Sequence, residues 1–571
     1  MTIREKYTTI STMEIEARVL IRRVHAVLLN VACVALVSSC VTAETANTPA
    51  PPKASPADIH DSFGKDIVSI GPDAFRYEDA RNTVRAGLRS IFQRYIDPVD
   101  QDHLALEGLQ GLSSIDPDLD VSDDDGVVVL RLNDTIIATF PHPDDADAED
   151  WAELTTSLIR TARSRSLDLA ESDNERVYEA LFDGMLGHLD IFSRYAGAVE
   201  ARANRARRDG FGGIGVRFSK SSHGALITHV QHDSPAERAG LHPGDVIVKI
   251  NDTAAGALSL RQVASMLRGP VGSLMTLTVT RVQGEPQLPD RRISFSLARA
   301  HIVPETVRAT VLNDILLVRI SSFNKKTSSR VHAVLQDHQE AFAQGRLKGV
   351  VLDVRDNPGG LLSQSVTVAD LFLDTGRIIA TRGRHPDSFH NYNAGGTDLT
   401  SGAPIAILVD GNSASAAEIV ASALQDLGRA VVVGSTSYGK GTVQTVIRLP
   451  NDGEITLTWS RLVSPSGYAL HGLGVFPVVC AASAPMAPET AAILTPDRID
   501  AQRNTFEAWR AAGQIFDERR AKLRKICPTQ AFDPGKNDKI LMLLAAQLIE
   551  QPTLYRRAVQ LSEPISTAAR P

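Results

Sequence analysis

The period of the hydrophobic positions changes several times along the chain, and each change predicts a change of architecture. From Tyr77 to about Tyr195 apolar residues recur at helical spacing: Ala80, Val84, Leu88, Ile91, Phe92 and Tyr95, then Leu181, Met185, Leu186 and Leu189. One interruption, Gly126–Phe140, alternates instead and predicts a hairpin that turns at Asn133-Asp134. Short strands dominate from Phe211 to about Ala298, around one helix at Leu260–Leu267. From Val303 to about Val479 strands and helices alternate, the pattern of an α/β layer. Its expected strands are Ile315–Ile320, Gly349–Val354, Ile405–Val409 and Ala430–Val433, and its expected helices Ser328–Gln344, Ser363–Leu373 and Ala416–Leu427. Helical spacing returns over Ala491–Gln560.

The start of the chain follows a different rule. Arg22 and Arg23 precede a mostly apolar run, Val24 to Val37, that ends in Ser38-Ser39-Cys40. A basic flank, a short apolar run and small residues describe a secretory signal. A spanning helix needs about 20 apolar residues. Val37-Ser38-Ser39-Cys40 also resembles a bacterial lipobox, which implies cleavage before Cys40, acylation of that cysteine and a periplasmic protein held on a membrane. Val41, rather than Asp, after the cysteine favours the outer membrane by the same analogy. Either Met1 or Met13 serves as the start, and Thr45–Asp58, rich in Ala, Pro and Thr, suits an extended tether.

Composition narrows the chemistry. At 571 residues, 43% of them hydrophobic, the chain needs about three domains. A net charge of −7 offers no basic stripe for nucleic acid. Four cysteines without C-x-x-C, and no H-E-x-x-H, leave zinc no ligand set, so neither metal nor cofactor is expected. With Cys33 removed and Cys40 lipidated, Cys480 and Cys527 remain, either paired or as two free thiols. Asp116, Asp118 and Asp120 imitate a calcium loop, but Val121 replaces its glycine and Val127 its glutamate; a solvated acidic turn is expected.

Two glycine motifs mislead. Gly434 to Lys440 has P-loop spacing, yet Gly441 occupies the Ser/Thr position and Thr442–Ile447 alternates as a strand. Gly210-Phe-Gly212-Gly213-Ile-Gly215 has dinucleotide spacing, yet the strand-like Val216-Arg217-Phe218 follows where a helix is required.

Other readings fit these segments. Gly213-Ile214-Gly215-Val216, then Ser234–Leu241, Pro243–Asn251 and Leu267-Arg268-Gly269 closely resemble the PDZ modules of bacterial proteases. Leu352-Asp353-Val354-Arg355-Asp356-Asn357-Pro358-Gly359-Gly360, Ser413-Ala414-Ser415-Ala416-Ala417-Glu418-Ile419 and Gly439-Lys440-Gly441-Thr442-Val443-Gln444 resemble, in order, the C-terminal processing peptidases, or tail-specific proteases. The likeness covers roughly Tyr77 to Pro477. It departs at Ala417, where the family usually has serine, and at Val478, where an acid is common.

The resemblance implies an α+β multidomain chain. Its parts are a signal over 1–40, a tether over 41–60, a mainly helical region over 61–206, a PDZ domain over 207–302, a crotonase-like α/β protease core over 303–485 and a helical extension over 486–571, packed as a lid or a dimerisation arm. It makes Ser415 the nucleophile and Lys440 the general base, with Gln444 orienting the amine. The N–H groups of Ala416 and of Gly359 or Gly360 would bind the oxyanion. Gly213, Ile214, Gly215 and Val216 would hold a peptide tail, with Arg268 either sensing that peptide or forming a surface salt bridge. The implied activity is a serine endopeptidase that works through an acyl-enzyme, selects chains by their C-termini and associates with itself or an adaptor. A silent PDZ scaffold is the alternative, and such a scaffold would be free to lose Ser415, Lys440 and Gln444.

Overall fold

The computed structural model describes residues 75–143, 147–281, 291–482, 496–512, 518–531 and 538–562. The signal, Cys40 and the tether lie outside them. Among the described residues no helix is long and apolar enough to cross a membrane.

The sheet of the α/β region runs, in spatial order, Val307–Leu312, Ile315–Ile320, Gly349–Asp353, Ile405–Val409, Val431–Gly434 and Val479–Cys480. Only the first pair is antiparallel. The central strands Gly349–Asp353 and Ile405–Val409 are buried at every position, as parallel strands covered on both faces must be. Helices Thr327–Ala343, Leu362–Asp370 and Ala416–Asp426 follow the second, third and fourth strands, within a residue or a few of the positions expected from periodicity. A second sheet, ordered His390–Asn393, Arg377–Arg382, Glu454–Val463, Thr442–Arg448, carries Lys440 just before its last strand.

The PDZ sheet runs Arg291–Ala298, Leu274–Arg281, Val246–Ile250, Gly224–Val230 and Val216–Ser221, with Val216–Ser221 at its edge. Phe211–Gly213 pairs with Ala300–Ile302 and closes the module's two ends together. Its core is separate, built on Ile227, Ile247, Val263, Leu277 and Val279.

The two helical regions do not keep cores of their own. Trp151, Leu158, Phe182 and Met185 of the N-terminal region pack in one cluster with Leu449, Ile455 and Leu457 of the second sheet. Phe506, Trp509, Leu544 and Leu548 of the C-terminal extension join the cluster of the α/β sheet. Tyr555 of helix Pro552–Ser562 seals that contact: its hydroxyl accepts from Ile405 N–H at 2.8 Å and lies 3.1 Å from Arg429 O.

One expectation is corrected. The stretch after Asp118 is not a solvated turn; Leu119–Asp123 forms a third strand beside the expected hairpin. Leu119 and Val121 point inward while Asp120 faces water, so the acidic residues obscured an alternating pattern. Asp116 is buried and accepts from the Ser166 hydroxyl. Of the two states open to Cys480 and Cys527, the fold has the disulfide, with Cα atoms 5.8 Å apart.

Candidate active site

Ser415 ends the loop between strand Ile405–Val409 and helix Ala416–Asp426. Its backbone is held at φ 54°, ψ −111°, outside the regions a serine prefers. The loop imposes this. Asp410 Oδ1 accepts from Ser413 N–H at 2.9 Å, Ser413 Oγ donates to Val354 O at 2.8 Å, and Ala414 N–H donates to Asn357 O at 2.9 Å. These bonds tie the serine loop to the Asn357-Pro358-Gly359-Gly360 turn.

That turn presses on the serine. A Cβ on Gly359 would stand 2.9 Å from Ser415 Cβ and 3.0 Å from Ala416 N, and φ is +99° there; only glycine fits. Gly359 N–H is already given to Asn357 Oδ1 at 2.9 Å. The amides of Gly360 and Ala416 carry no hydrogen bond among the described residues. Beneath the turn lies a buried ion pair. Arg355 Nε and Nη2 each donate to Asp353 at 2.8 Å, with both side chains under 4% exposed, and Arg319 reaches the same carboxylate at 3.2 Å. Removing one member of such a pair strands the other charge. Asp353→Ala is therefore expected to cost about 3–5 kcal/mol, read from urea unfolding midpoints.

Glu418, one turn into the helix, is fully buried, and sequence reasoning gave it no role. One oxygen accepts from Ser415 N–H at 2.7 Å and Lys440 N–H at 2.9 Å; the other accepts from Gly439 N–H at 2.7 Å and from Ser437 Oγ. A single carboxylate therefore holds the backbones of the serine and the lysine together. Tyr438 N–H adds a bond to Ser413 O at 3.0 Å. Burial pushes the Glu418 carboxyl up, and its four donors pull it back toward the anion.

Lys440 is covered by the N-terminal region. Its Nζ lies 4.9 Å from the centre of the Phe192 ring. Burial lowers its pKa and so does the charge of Arg194, while Asp190 and Glu418 oppose them. Asp190 is the hub of that covering segment: it accepts from Phe192 N–H, Ser193 N–H, Ser193 Oγ and, at 3.2 Å, Thr458 Oγ. The spacing near Ser415 and Lys440 could not have pointed to residues so distant in the chain. Gln444 departs from its expected bond. Its amide donates to Thr442 Oγ at 2.9 Å and Thr458 Oγ at 3.3 Å, and no bond joins it to Lys440 among the described residues. A register shift between Val443 and Gln444 accompanies that orientation.

Gly441, which spoils the P-loop pattern, has its own cause: a Cβ there would fall 1.9 Å from His471 N. The two departures from the family pattern, Ala417 and Val478, are both buried in the apolar core.

The PDZ module presents a cavity of about 200 Å³ lined by Gly213, Ile214, Gly215, Val216, Leu267 and Arg268. Val216–Ser221, as an unpaired edge, leaves room for an added strand. Arg268 forms no ion pair among the described residues; its guanidinium stacks 4.4 Å from the centre of the Phe211 ring. The one cluster with metal-ligand spacing among the described residues, His232, Asp233 and Glu237, is exposed, and Glu237 is spent on the N–H of Asp233 at 2.8 Å and His232 Nδ1 at 3.0 Å.

Comparison with known proteins bears on the family. Residues 314–479 match the model of peptidase family S41, and residues 226–281 match a PDZ domain model. The chain is 37% identical over 316 residues to a carboxy-terminal-processing protease of Bartonella bacilliformis, covering 55% of this chain and 72% of that protein. It is 32% identical over 314 residues to a probable CtpA-like serine protease of Staphylococcus aureus, covering 54% and 61%. Among solved structures, a photosystem II D1 C-terminal processing protease is 25% identical, with 67% of this chain and 93% of that one covered at a TM-score of 0.33.

Proposed function

Since this chain belongs to peptidase family S41, the carboxy-terminal-processing serine proteases, we propose that Ser415 and Lys440 are its dyad and that it cuts proteins chosen by their C-terminal tails. The observation that carries the reading is the Glu418 carboxylate bound to Ser415 N–H and Lys440 N–H at once, which ties the two backbones to one point. Among the described residues no hydrogen bond joins Ser415 Oγ to Lys440 Nζ, so the proton transfer requires the two side chains to turn toward each other when substrate binds.

In this reading neutral Lys440 takes the Ser415 proton as Oγ attacks the scissile carbonyl. The oxyanion forms against the unengaged amides of Ala416 and Gly360, at the start of a helix whose dipole favours negative charge. Of the two glycines, Gly360 suits the role because Gly359 N–H is committed to Asn357. The protonated lysine returns its proton to the leaving amine, and water then releases the acyl-enzyme. Gln444 acts through Thr442 and Thr458 to support the site. A peptide tail adds to the Val216–Ser221 edge, its carboxylate against the Gly213-Ile214-Gly215-Val216 loop, and Arg268 on Phe211 lies beside it. The lipobox-like Val37-Ser38-Ser39-Cys40 and the Ala/Pro-rich stretch after it support a periplasmic enzyme anchored to a membrane, with the outer membrane favoured.

The test uses an unfolded protein with an apolar C-terminus, and the same protein with that terminus amidated. The enzyme is expected to cut the first, to cut the amide with a raised KM, and to be labelled by a fluorophosphonate at Ser415. Absence of labelling would remove the nucleophile assignment; equal KM values would remove tail selection.

A further inference from the structure

The loop that delivers Lys440 is not held by the protease core alone. From Ser435 to Gly439 nearly every residue is gripped by the C-terminal extension, which lies outside the region matched by the peptidase model. Ser435 Oγ donates to Gln530 O at 3.1 Å and accepts from Gln530 N–H at 3.2 Å. Thr436 Oγ donates to Cys527 O at 2.6 Å. Arg524, in helix Glu518–Arg524, spans the rest: Nη2 donates to Ser437 O at 3.2 Å and Thr529 Oγ at 2.7 Å, and Nη1 donates to Tyr438 O at 3.2 Å and Leu473 O at 2.9 Å. A Cβ on Gly439 would lie 2.9 Å from Arg524 Nη1, so this guanidinium sits directly against the residue before the lysine. Three residues beyond Arg524, Cys527 is joined to Cys480 in the strand Val479–Cys480, which pairs with the strand Val431–Gly434 leading into the loop.

We propose that Arg524 is a positioning residue of the dyad, holding the Ser437–Gly439 backbone from a C-terminal strap that the Cys480–Cys527 disulfide anchors. The inference rests on Lys440 being the base. Only a planar fork fits the geometry, because carbonyls on two separate turns must be bonded at once; an ammonium group reaches fewer of them. Burial works against the charge of Arg524, and the Glu418 carboxylate across the loop supports it. The extension is thus a built part of the catalytic site.

The test measures kcat and KM on an unfolded protein, and the rate of fluorophosphonate labelling at Ser415, for the full-length enzyme, Arg524→Ala and Arg524→Lys. Folding is checked by near-ultraviolet circular dichroism. Arg524→Ala is expected to lose about 10²-fold in kcat, the scale of a small misplacement of a catalytic group, with KM nearly unchanged and labelling slowed in parallel. Added guanidinium ion should recover about tenfold of that loss, and Arg524→Lys should stay impaired. A folded Arg524→Ala enzyme with full kcat, or a loss confined to KM, overturns the proposal. If that variant does not fold, Arg524→Lys decides, and an unchanged kcat there overturns it equally. Reducing the wild-type disulfide should lower kcat without raising KM; equal activity of the oxidised and reduced forms removes the anchoring role. A wild-type enzyme that resists labelling indicts the dyad itself, not the strap.

Discussion

Lys440→Ala should lower kcat/KM by about 10⁴-fold or more, the scale on which loss of one member of a serine protease's catalytic group is felt. Lys440→Arg should do no better, since a guanidinium does not give up its proton. The pH dependence distinguishes a base from a mere positive charge. Burial and Arg194 lower the lysine's pKa from its ordinary value of 10.5, so the neutral, competent form gains population as pH rises through that lowered value. kcat/KM should therefore climb along a single limb that lies below the ordinary lysine range. Removing the charge of Arg194 in Arg194→Gln takes away one of the lowering influences, and the limb should move to higher pH. Asp190→Asn removes an opposing charge, and the limb should move to lower pH. Both variants can be followed by kcat/KM profiles alongside a thermal melt. If neither shifts the limb, Lys440 is not the titrating group.

The segment that supplies Asp190, Phe192 and Arg194 illustrates what local pattern could and could not convey. The elements that carry Ser415 were legible because buried parallel strands read as unbroken apolar runs: Ile405–Val409 is all apolar, and the helix after it begins at the expected Ala416. Thr442–Arg448 was legible because it alternates, and this alternation also dismissed the nucleotide reading of the lysine loop. Leu119–Asp123 was missed because its exposed acids read as a solvated turn while only Leu119 and Val121 signalled a strand. The covering of Lys440 was beyond local reading for a different reason. It depends on Arg194–Ala196 pairing with Glu454–Val463, a contact between segments about half the chain apart. The grip of Arg524 on the lysine loop is non-local in the same way, and so is the closure of Cys480 on Cys527.

Glu418 shows how a residue inside a recognised motif can matter more than its position suggests. Glu418→Ala is expected to be the most damaging single change outside the dyad. Deleting the carboxylate leaves the N–H groups of Ser415, Gly439 and Lys440 and the Ser437 hydroxyl buried without their acceptor. Each stranded donor costs about 1–3 kcal/mol, so the loss should exceed the few kcal/mol of an ordinary core truncation unless water enters. Glu418→Gln separates charge from shape. The side chain keeps its volume, but one end becomes an NH₂ facing donors. If the amide faces Ser415 and Lys440, two N–H groups meet two more; if it faces the other way, Gly439 N–H has no acceptor, and only the Ser437 hydroxyl can reverse its role. Every donor is satisfied by the anion alone. The glutamine variant should therefore fold with a lowered melting temperature and lose about 10²- to 10³-fold in kcat, because the backbones of nucleophile and base are no longer drawn to one point. Glu418→Asp retains the charge on a shorter arm and should recover little, since four donors fix the position of both oxygens. A glutamine variant with wild-type kcat would show that the two catalytic loops hold their places without the carboxylate.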